Sequence, residues 1–275
     1  MFSSKTMELY TKDSVGFLKY PALEKFSWLN HAFSTRLGGV STGEFSTMNL
    51  SFRRGDPDAN VLQNYKLFTA AAGFDFNTLV ASAQDHNTVV RHVTAKEHGI
   101  GIWKESDMES VDALITNEPN VTLVTYYADC TPVFFVDPIK KAIGLAHAGW
   151  RGTVGMIAKE VVKSMQMQYG SDPKDIVAAI GPVIMQCCYE IDESCYQEFK
   201  SMPDIYVTQF IIPKDNGKYM ADLLSINKAV LLSAGVLNEN ITLSDICTKC
   251  NSELLFSHRA TGGKRGGMCA MMAIR

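Results

Sequence analysis

The sequence predicts a mixed α/β fold of the α+β kind, with mixed β-sheets flanked by helices. Three observations carry that expectation. Short runs rich in branched residues recur along the chain, as strands require. Helical periodicity is confined to a few segments between them. Strands and helices do not alternate in a clean βαβ repeat, and nothing recurs at a fixed period. With 275 residues, 46% hydrophobic and 20% charged, the chain can form a substantial core without disulfides, as one large domain or two closely joined lobes.

Taken in order, Met7–Tyr10 and Val15–Leu18 read as short strands. Asn30-His31-Ala32-Phe33 is a further strand that runs into the loop Ser34-Thr35-Arg36-Leu37-Gly38-Gly39-Val40-Ser41, where Gly38 and Gly39 permit tight backbone approach or a plain hairpin turn. Asp56-Pro57-Asp58 opens a helix ending near Gly73, because Val61, Tyr65, Phe68 and Ala72 share one apolar face. Leu79–Ala83 reads as a strand that leaves Gln84-Asp85-His86 at its end. Val111–Thr116, Val121–Tyr127 and Val133–Val136 follow as strands, the last broken by Asp137-Pro138. Ala142–Ala146 is another, turning at Ala148-Gly149-Trp150-Arg151-Gly152. A helix is expected from Thr153 to Tyr169, with Val154, Ile157, Val161 and Met165 inward and Gly170 at its end. Ile176–Ile180 is a strand leading to Gly181-Pro182, Glu190–Lys200 and Asp222–Ala234 are helices, and Ile241–Leu243 is one more short strand.

A net charge of −3 and a pI near 6.1 supply no electrostatic footprint for nucleic acid, while leaving room for a small anion in a locally positive pocket. The segment Met1–Glu8 lacks the apolar stretch of a secretory signal, and no run approaches the roughly 18 apolar residues that span a bilayer. A cytoplasmic protein without membrane partners is therefore expected. The odd count of seven cysteines fits reduced thiols better than a disulfide framework.

Only six histidines are present, and two of them stand in matching contexts around one cysteine. His86, Cys130 and His147 each adjoin the end of an expected strand, in Gln84-Asp85-His86, Ala128-Asp129-Cys130-Thr131-Pro132 and Ala146-His147-Ala148-Gly149-Trp150. Loops at strand ends aim side chains into a crevice. Two imidazoles and a thiolate suit zinc and leave a fourth position for water or substrate. The rival reading makes Cys130 a nucleophile with His86 or His147 as its base, and residue chemistry alone leaves the two close. Cys247-x-x-Cys250 has a spacing found in zinc and redox sites, but no second pair follows it. It is assigned a structural or incidental role, as are Cys187-Cys188 and Cys195.

Several motifs together resemble the bacterial YlmD/YfiH-like family, also called the multicopper polyphenol oxidoreductase or laccase-domain family. They are His31-Ala32-Phe33-Ser34-Thr35-Arg36-x-Gly38-Gly39-Val40-Ser41, Gln84-x-His86, Asp112-Ala113-Leu114-Ile115-Thr116, Ala128-Asp129-Cys130-x-Pro132-Val133, His147-Ala148-Gly149-Trp150-Arg151-Gly152, Ile180-Gly181-Pro182 and Phe256-Ser257-His258-Arg259, spread over almost the whole chain. The resemblance implies a single domain over 1–275 with YfiH-like architecture and a metal triad of His86, Cys130 and His147. It also implies zinc-dependent purine nucleoside phosphorylase chemistry with phosphate and adenosine, inosine, guanosine or S-methyl-5′-thioadenosine, together with adenosine deaminase activity. A monomer or homodimer is expected.

The older family name implies copper and phenol oxidation. A multicopper laccase needs many imidazole ligands, and only two of the six histidines fall in the constellation. Copper binds soft nitrogen and sulfur donors well, so it stays the second candidate metal, and phenol oxidation the alternative activity. Likeness to Cys–His hydrolases keeps the nucleophile reading as analogy. For phosphorolysis, Arg36 and Arg151 are candidate phosphate or substrate contacts, assisted by backbone N–H groups near Gly38, Gly39, Gly149 and Gly152. The plain alternative is a pair of arginines fixing loops. Asp129 or Asp85 is the candidate for moving protons or orienting a histidine. His258-Arg259 either closes the pocket or stabilises the C-terminal fold.

Overall fold

The computed structural model describes residues 2–275, and two six-stranded sheets organise them. The first runs, across its width, Glu8–Lys12, Val15–Lys19, Leu29–Ser34, Met268–Ile274, Thr122–Tyr127 and Leu79–Ala81, with only the last pair parallel. The second runs Ile241–Leu243, Val177–Ile180, Thr131–Asp137, Ala142–Ala148, Val111–Thr116 and Val89–His92, parallel at both edges and antiparallel between them. A small antiparallel sheet joins Glu190–Ile191, Tyr219–Ala221 and Ile211–Pro213. This is the mixed α/β architecture expected from the sequence.

The two-residue alternation of strand side chains sets the layers. On Thr131–Asp137, Phe134 and Val136 meet Phe33 and Leu123 of the first sheet, whereas Val133 and Phe135 join the core formed with the helices Ile157–Tyr169 and Leu223–Ser233. On Met268–Ile274, Met268, Ala270 and Met272 face the second sheet, and Cys269, Met271 and Ala273 face the helix Asp58–Ala72. The order is therefore helix, sheet, sheet, helices. Phe33, Phe134 and Phe135 are fully buried, and burial of each such ring contributes about 1.5–3 kcal/mol, so contacts between layers hold the sheets face to face.

The helix after Pro57 runs Asp58–Ala72 and ends on Gly73 in the left-handed region, with Val61, Tyr65, Phe68 and Ala72 buried as the periodicity required. The single helix expected over Thr153–Tyr169 is two, Trp150–Val154 and Ile157–Tyr169, separated by Gly155 and a left-handed Met156. A β-carbon at Gly155 would lie 2.6 Å from Thr88 Cγ2, so close packing demands a poor helix former there. The helix expected from Glu190 begins only at Glu193, because Glu190–Ile191 pairs as a strand and Asp192 caps the helix by accepting from the Cys195 amide. Among the described residues, no helix is long and apolar enough to cross a membrane.

Candidate metal centre

His86, Cys130 and His147 come from three separate places in this frame. His86 follows the strand Leu79–Ala81 in a turn where its φ is 72°. Cys130 lies between Thr122–Tyr127 and Thr131–Asp137. His147 is carried by Ala142–Ala148 and pairs across the ladder with Pro132. Their ligand atoms lie within 4.8 Å of one another, and Cys130 Sγ is 4.0 Å from His86 Nε2. Tetrahedral zinc with bonds of about 2.0–2.3 Å would separate neighbouring donor atoms by about 3.5 Å, so the Cys130–His86 pair, at 4.0 Å, is about half an ångström wider than such an ion requires.

The site is braced by Asp112, the first residue of the Asp112-Ala113-Leu114-Ile115-Thr116 motif. Its fully buried carboxylate accepts from His147 Nδ1 at 2.7 Å and from the backbone amides of Asp85, His86 and Asn87 at 3.1, 3.1 and 2.9 Å. One group thus fixes the ring of His147 and the turn that carries His86. A proton on Nδ1 leaves Nε2 as the free lone pair, as a metal ligand needs. A polar residue at the start of the apolar run Val111-Asp112-Ala113-Leu114-Ile115 is the sequence signal for such a brace, since a buried carboxylate demands partners.

Gly149 sets the spacing on the opposite side. A β-carbon there would lie 2.6 Å from His86 Cδ2, 3.3 Å from Cys130 Sγ and 3.4 Å from His147 Cε1. Its backbone, at φ −65° and ψ 173°, suits any residue, so the demand is for space alone. Gly149→Ala is expected to displace His86 and weaken metal binding about 10–100-fold, the usual effect of disturbing groups that support metal ligands. Competition titration against a chelator measures this, and an unchanged affinity would show that the glycine does not shape the site.

The electrostatics favour a ligand-ready thiolate. Burial pushes the Cys130 thiol up, but the charges and hydrogen bonds of His147 and His86 outweigh it and bring the group down to about 6. Burial pulls His147 down, while Cys130 and Asp112 raise it to about 9. Burial also opposes ionisation of Asp112, yet His147 and the amide donors hold it below the usual carboxylate range. In the absence of metal, Cys130 and His147 are therefore a thiolate–imidazolium pair at neutral pH.

The three side chains open into a cleft of about 870 Å³, in the size range of small-molecule sites. Its walls include Gln84, Tyr126, Tyr127, Arg54, Trp103 and Arg265. Arg265 is only 8% exposed. Its Nη1 donates to the Gly266 carbonyl, and its Nε has no hydrogen-bond partner. Among the described residues no carboxylate pairs with it. Burial and the neighbouring charge of Arg54 lower it to about 10, which leaves it protonated at neutral pH. Asp129 and Cys130 act in the opposite direction from farther off, and a buried cation with no carboxylate in contact with it suits an anion.

The other residues singled out in the sequence fall elsewhere. Arg36 donates to the carbonyls of Ser46 and Ser252 at 2.9 Å each and stacks on Phe256, so it fixes a loop and does not line the cleft. Gly38 and Gly39 provide close backbone packing: β-carbons there would lie 2.2 Å from the Ser14 and Thr47 carbonyl oxygens. Arg151 is exposed, stacks on Trp150 and also lies off the cleft wall. Asp129 spends both carboxylate oxygens on the Thr248 hydroxyl at 2.6 Å and the Arg259 amide at 2.7 Å. Asp85 accepts from Ser110, and the histidine-orienting role falls to Asp112 instead. His258 opens the short helix His258–Thr261, is exposed, and is not part of the cleft lining. No local motif surrounds Arg53, Arg54, Trp103 or Arg265, so the sequence carries no signal for their place in the cleft.

Known proteins resemble the chain along nearly its whole length. A purine nucleoside phosphorylase, YlmD of Geobacillus stearothermophilus, is 34% identical over 271 residues, which is 98% of this chain and 98% of the relative. A crystal structure of YlmD from that organism superposes with a TM-score of 0.89 at 33% identity, covering 98% of both chains. The crystal structure of the Bacillus licheniformis hypothetical protein YfiH gives a TM-score of 0.90 at 31% identity, over 96% of this chain and 97% of that one. An adenosine deaminase from an unknown prokaryotic organism is 36% identical over 241 residues, 86% of this chain and 90% of the relative. The family model described as multi-copper polyphenol oxidoreductase laccase matches residues 30–275. With its two-sheet frame, its Cys/His cluster and these likenesses in agreement, the chain belongs to the YlmD/YfiH-like family that this description covers.

Proposed function

We propose that this enzyme is a zinc-dependent purine nucleoside phosphorylase acting on adenosine, inosine, guanosine and S-methyl-5′-thioadenosine, with adenosine deaminase activity in the same cleft. One observation carries the reading: the His86, Cys130 and His147 cluster and the guanidinium of Arg265, whose Nε has no hydrogen-bond partner, open into one cavity. The donor set suits zinc and leaves a position open, and the bound ion would supply Lewis-acid charge beside the reacting bond. The relatives named as purine nucleoside phosphorylases support the substrate class, and the relative named as an adenosine deaminase supports the second activity.

The chain's own groups divide the remaining work. In phosphorolysis a phosphate oxygen bonds to ribose C1′ while the C1′–N9 bond breaks, and the purine leaves with that electron pair and gains a proton. Arg265, with Arg54 at the rim, holds the phosphate through charge-assisted hydrogen bonds from its planar fork. Trp103, 40% exposed and stacked on Phe76 at 4.7 Å, offers a flat apolar face to the base. Asp112 keeps His147 in one orientation throughout. In deamination water adds at purine C6 and ammonia leaves. The seven free cysteines support a reducing, cytoplasmic setting.

Phenol oxidation through several coppers finds little support in the donor inventory. His31 is buried in the core, where its Nε2 accepts the Tyr20 amide at 2.8 Å. Among the described residues, only one group of metal-ligating side chains contains histidine at all. Incubating metal-defined protein with adenosine, with and without phosphate, tests the reading by chromatography. Phosphate-dependent adenine and ribose 1-phosphate are expected, together with inosine and ammonia. Oxygen-dependent quinone formation from a phenol, with neither set of purine products, would sink it.

A further inference from the structure

A second group of metal-ligating side chains lies away from the cleft and consists of cysteines alone. The strands Val177–Ile180 and Ile241–Leu243 run parallel and adjacent, so the loops that leave them emerge side by side. The first loop carries Cys187 and Cys188, and the second carries Cys247 and Cys250. The loops are already joined by backbone, since the Thr248 amide donates to the Val183 carbonyl at 3.0 Å. The pair missing after Cys247-x-x-Cys250 in the sequence is supplied from some sixty residues before it.

The sulfur spacing identifies what the cluster suits. Cys188 and Cys250 Sγ are 3.4 Å apart, Cys187 and Cys188 3.7 Å, and Cys187 and Cys250 3.8 Å, with all four sulfurs within 4.8 Å of one another. A tetrahedron with zinc–sulfur bonds of about 2.3 Å has sulfur–sulfur edges of about 3.8 Å. A disulfide requires about 2.0 Å, and all four residues are free cysteines. The Met185 amide donates to Cys247 Sγ at 3.5 Å, the kind of contact that stabilises a ligating thiolate.

We propose that Cys187, Cys188, Cys247 and Cys250 form a structural tetrathiolate site for zinc, separate from the cleft, that fixes the position of Cys130. Four protein ligands leave no open coordination position, which makes the site structural. Its reach to Cys130 runs through the neighbouring Asp129. The Cys187 loop gives the Ile184 amide to the Asp129 carbonyl at 3.0 Å, and the Cys247 loop gives the Thr248 hydroxyl to the Asp129 carboxylate at 2.6 Å. Asp129 itself is held at a φ of 86°, a conformation that needs external support in a residue other than glycine. Metal that ties the two loops together keeps both of these grips in register.

Metal analysis of reduced protein, purified without chelator, tests the proposal. Wild type is expected to carry about two zinc ions per chain, and the His86→Ala/His147→Ala variant about one, since closed thiolate sites hold zinc tightly. Cys247→Ser/Cys250→Ser is expected to lose the second ion, to melt several degrees lower and to bind metal more weakly in the cleft. Because that variant can fail to fold, cobalt substitution in the His86→Ala/His147→Ala protein supplies an independent reading. A strong thiolate-to-cobalt charge-transfer band with tetrahedral visible bands is expected. Absence of that band, a metal-free His86→Ala/His147→Ala protein, or a disulfide within the cluster by mass spectrometry would overturn the proposal. Failure of the cleft site alone would lower the wild-type count and leave this ion in place.

Discussion

Cys130→Ala and His147→Ala are each expected to remove metal from the cleft and to lower kcat/KM for adenosine at least about 10³-fold, because such an ion stabilises transition-state charge by several kcal/mol. The two variants differ in what they leave behind. His147→Ala strips the buried Asp112 of its ring partner, although three backbone amides still satisfy that carboxylate. Cys130→Ala removes only a half-buried thiol. Metal content and steady-state kinetics on both check the expectation, and near-normal turnover in both would refute it. His86→Ala decides against the rival chemistry. Cys130 Sγ lies within 4.8 Å of a ring nitrogen of His147, whose Nδ1 donates to Asp112, the order in which a nucleophile, a base and an orienting acid would stand. A covalent cysteine enzyme with His147 as its base would keep that pair when His86 is lost, whereas a three-ligand metal centre would lose a ligand.

Arg265→Met is expected to cut phosphorolysis about 10²–10³-fold, the usual result of removing one preorganised charge-stabilising donor, while metal content stays unchanged. Deamination consumes water, not phosphate, and is expected to change little. The split between the two activities is what a phosphate-holding residue produces; equal loss of both would make Arg265 a scaffold residue. Stability supplies a second measurement. The guanidinium is buried without a carboxylate partner, so Met in its place is expected to leave the phosphate-free protein as stable or more so. Phosphate at a hundred times its Kd stabilises a binding protein by about 2.7 kcal/mol. A phosphate-induced rise in Tm is therefore expected in wild type and absent in Arg265→Met.

The parts of the molecule visible in the sequence are those with local causes. Val61, Tyr65, Phe68 and Ala72 mark a helix because their spacing is a property of the segment itself. The grouping of His86, Cys130 and His147 was legible because histidines are few and each of the three stands near a strand end beside a turn. Met268–Ile274 escaped because both of its faces are buried, one by each neighbouring layer, which erases the alternation that marks a strand. Its methionines and alanines also favour helix over strand. The cleft arginines escaped for another reason. Arg36 stands in a glycine-rich loop that suggests an anion contact, while Arg265 stands among glycines and is set apart only by a buried Nε that folding leaves without a partner. Cys187 and Cys250 likewise become neighbours only through the pairing of the edge strand Ile241–Leu243 with Val177–Ile180.

The placement of Met268–Ile274 between Leu29–Ser34 and Thr122–Tyr127 bears on how the chain reaches its native state. Met271 pairs with Ala32, so the middle of a six-stranded sheet is joined across most of the polypeptide. Until that late segment inserts, both flanking strands present unpaired edges, and the entropy of closing so long a loop is lost before any ladder bond compensates it. Such topologies assemble slowly and expose sticky intermediates. The seven residues from Met268 to Ile274 are thus expected to act as a late-closing latch that joins two half-sheets of three and two strands into one six-stranded sheet.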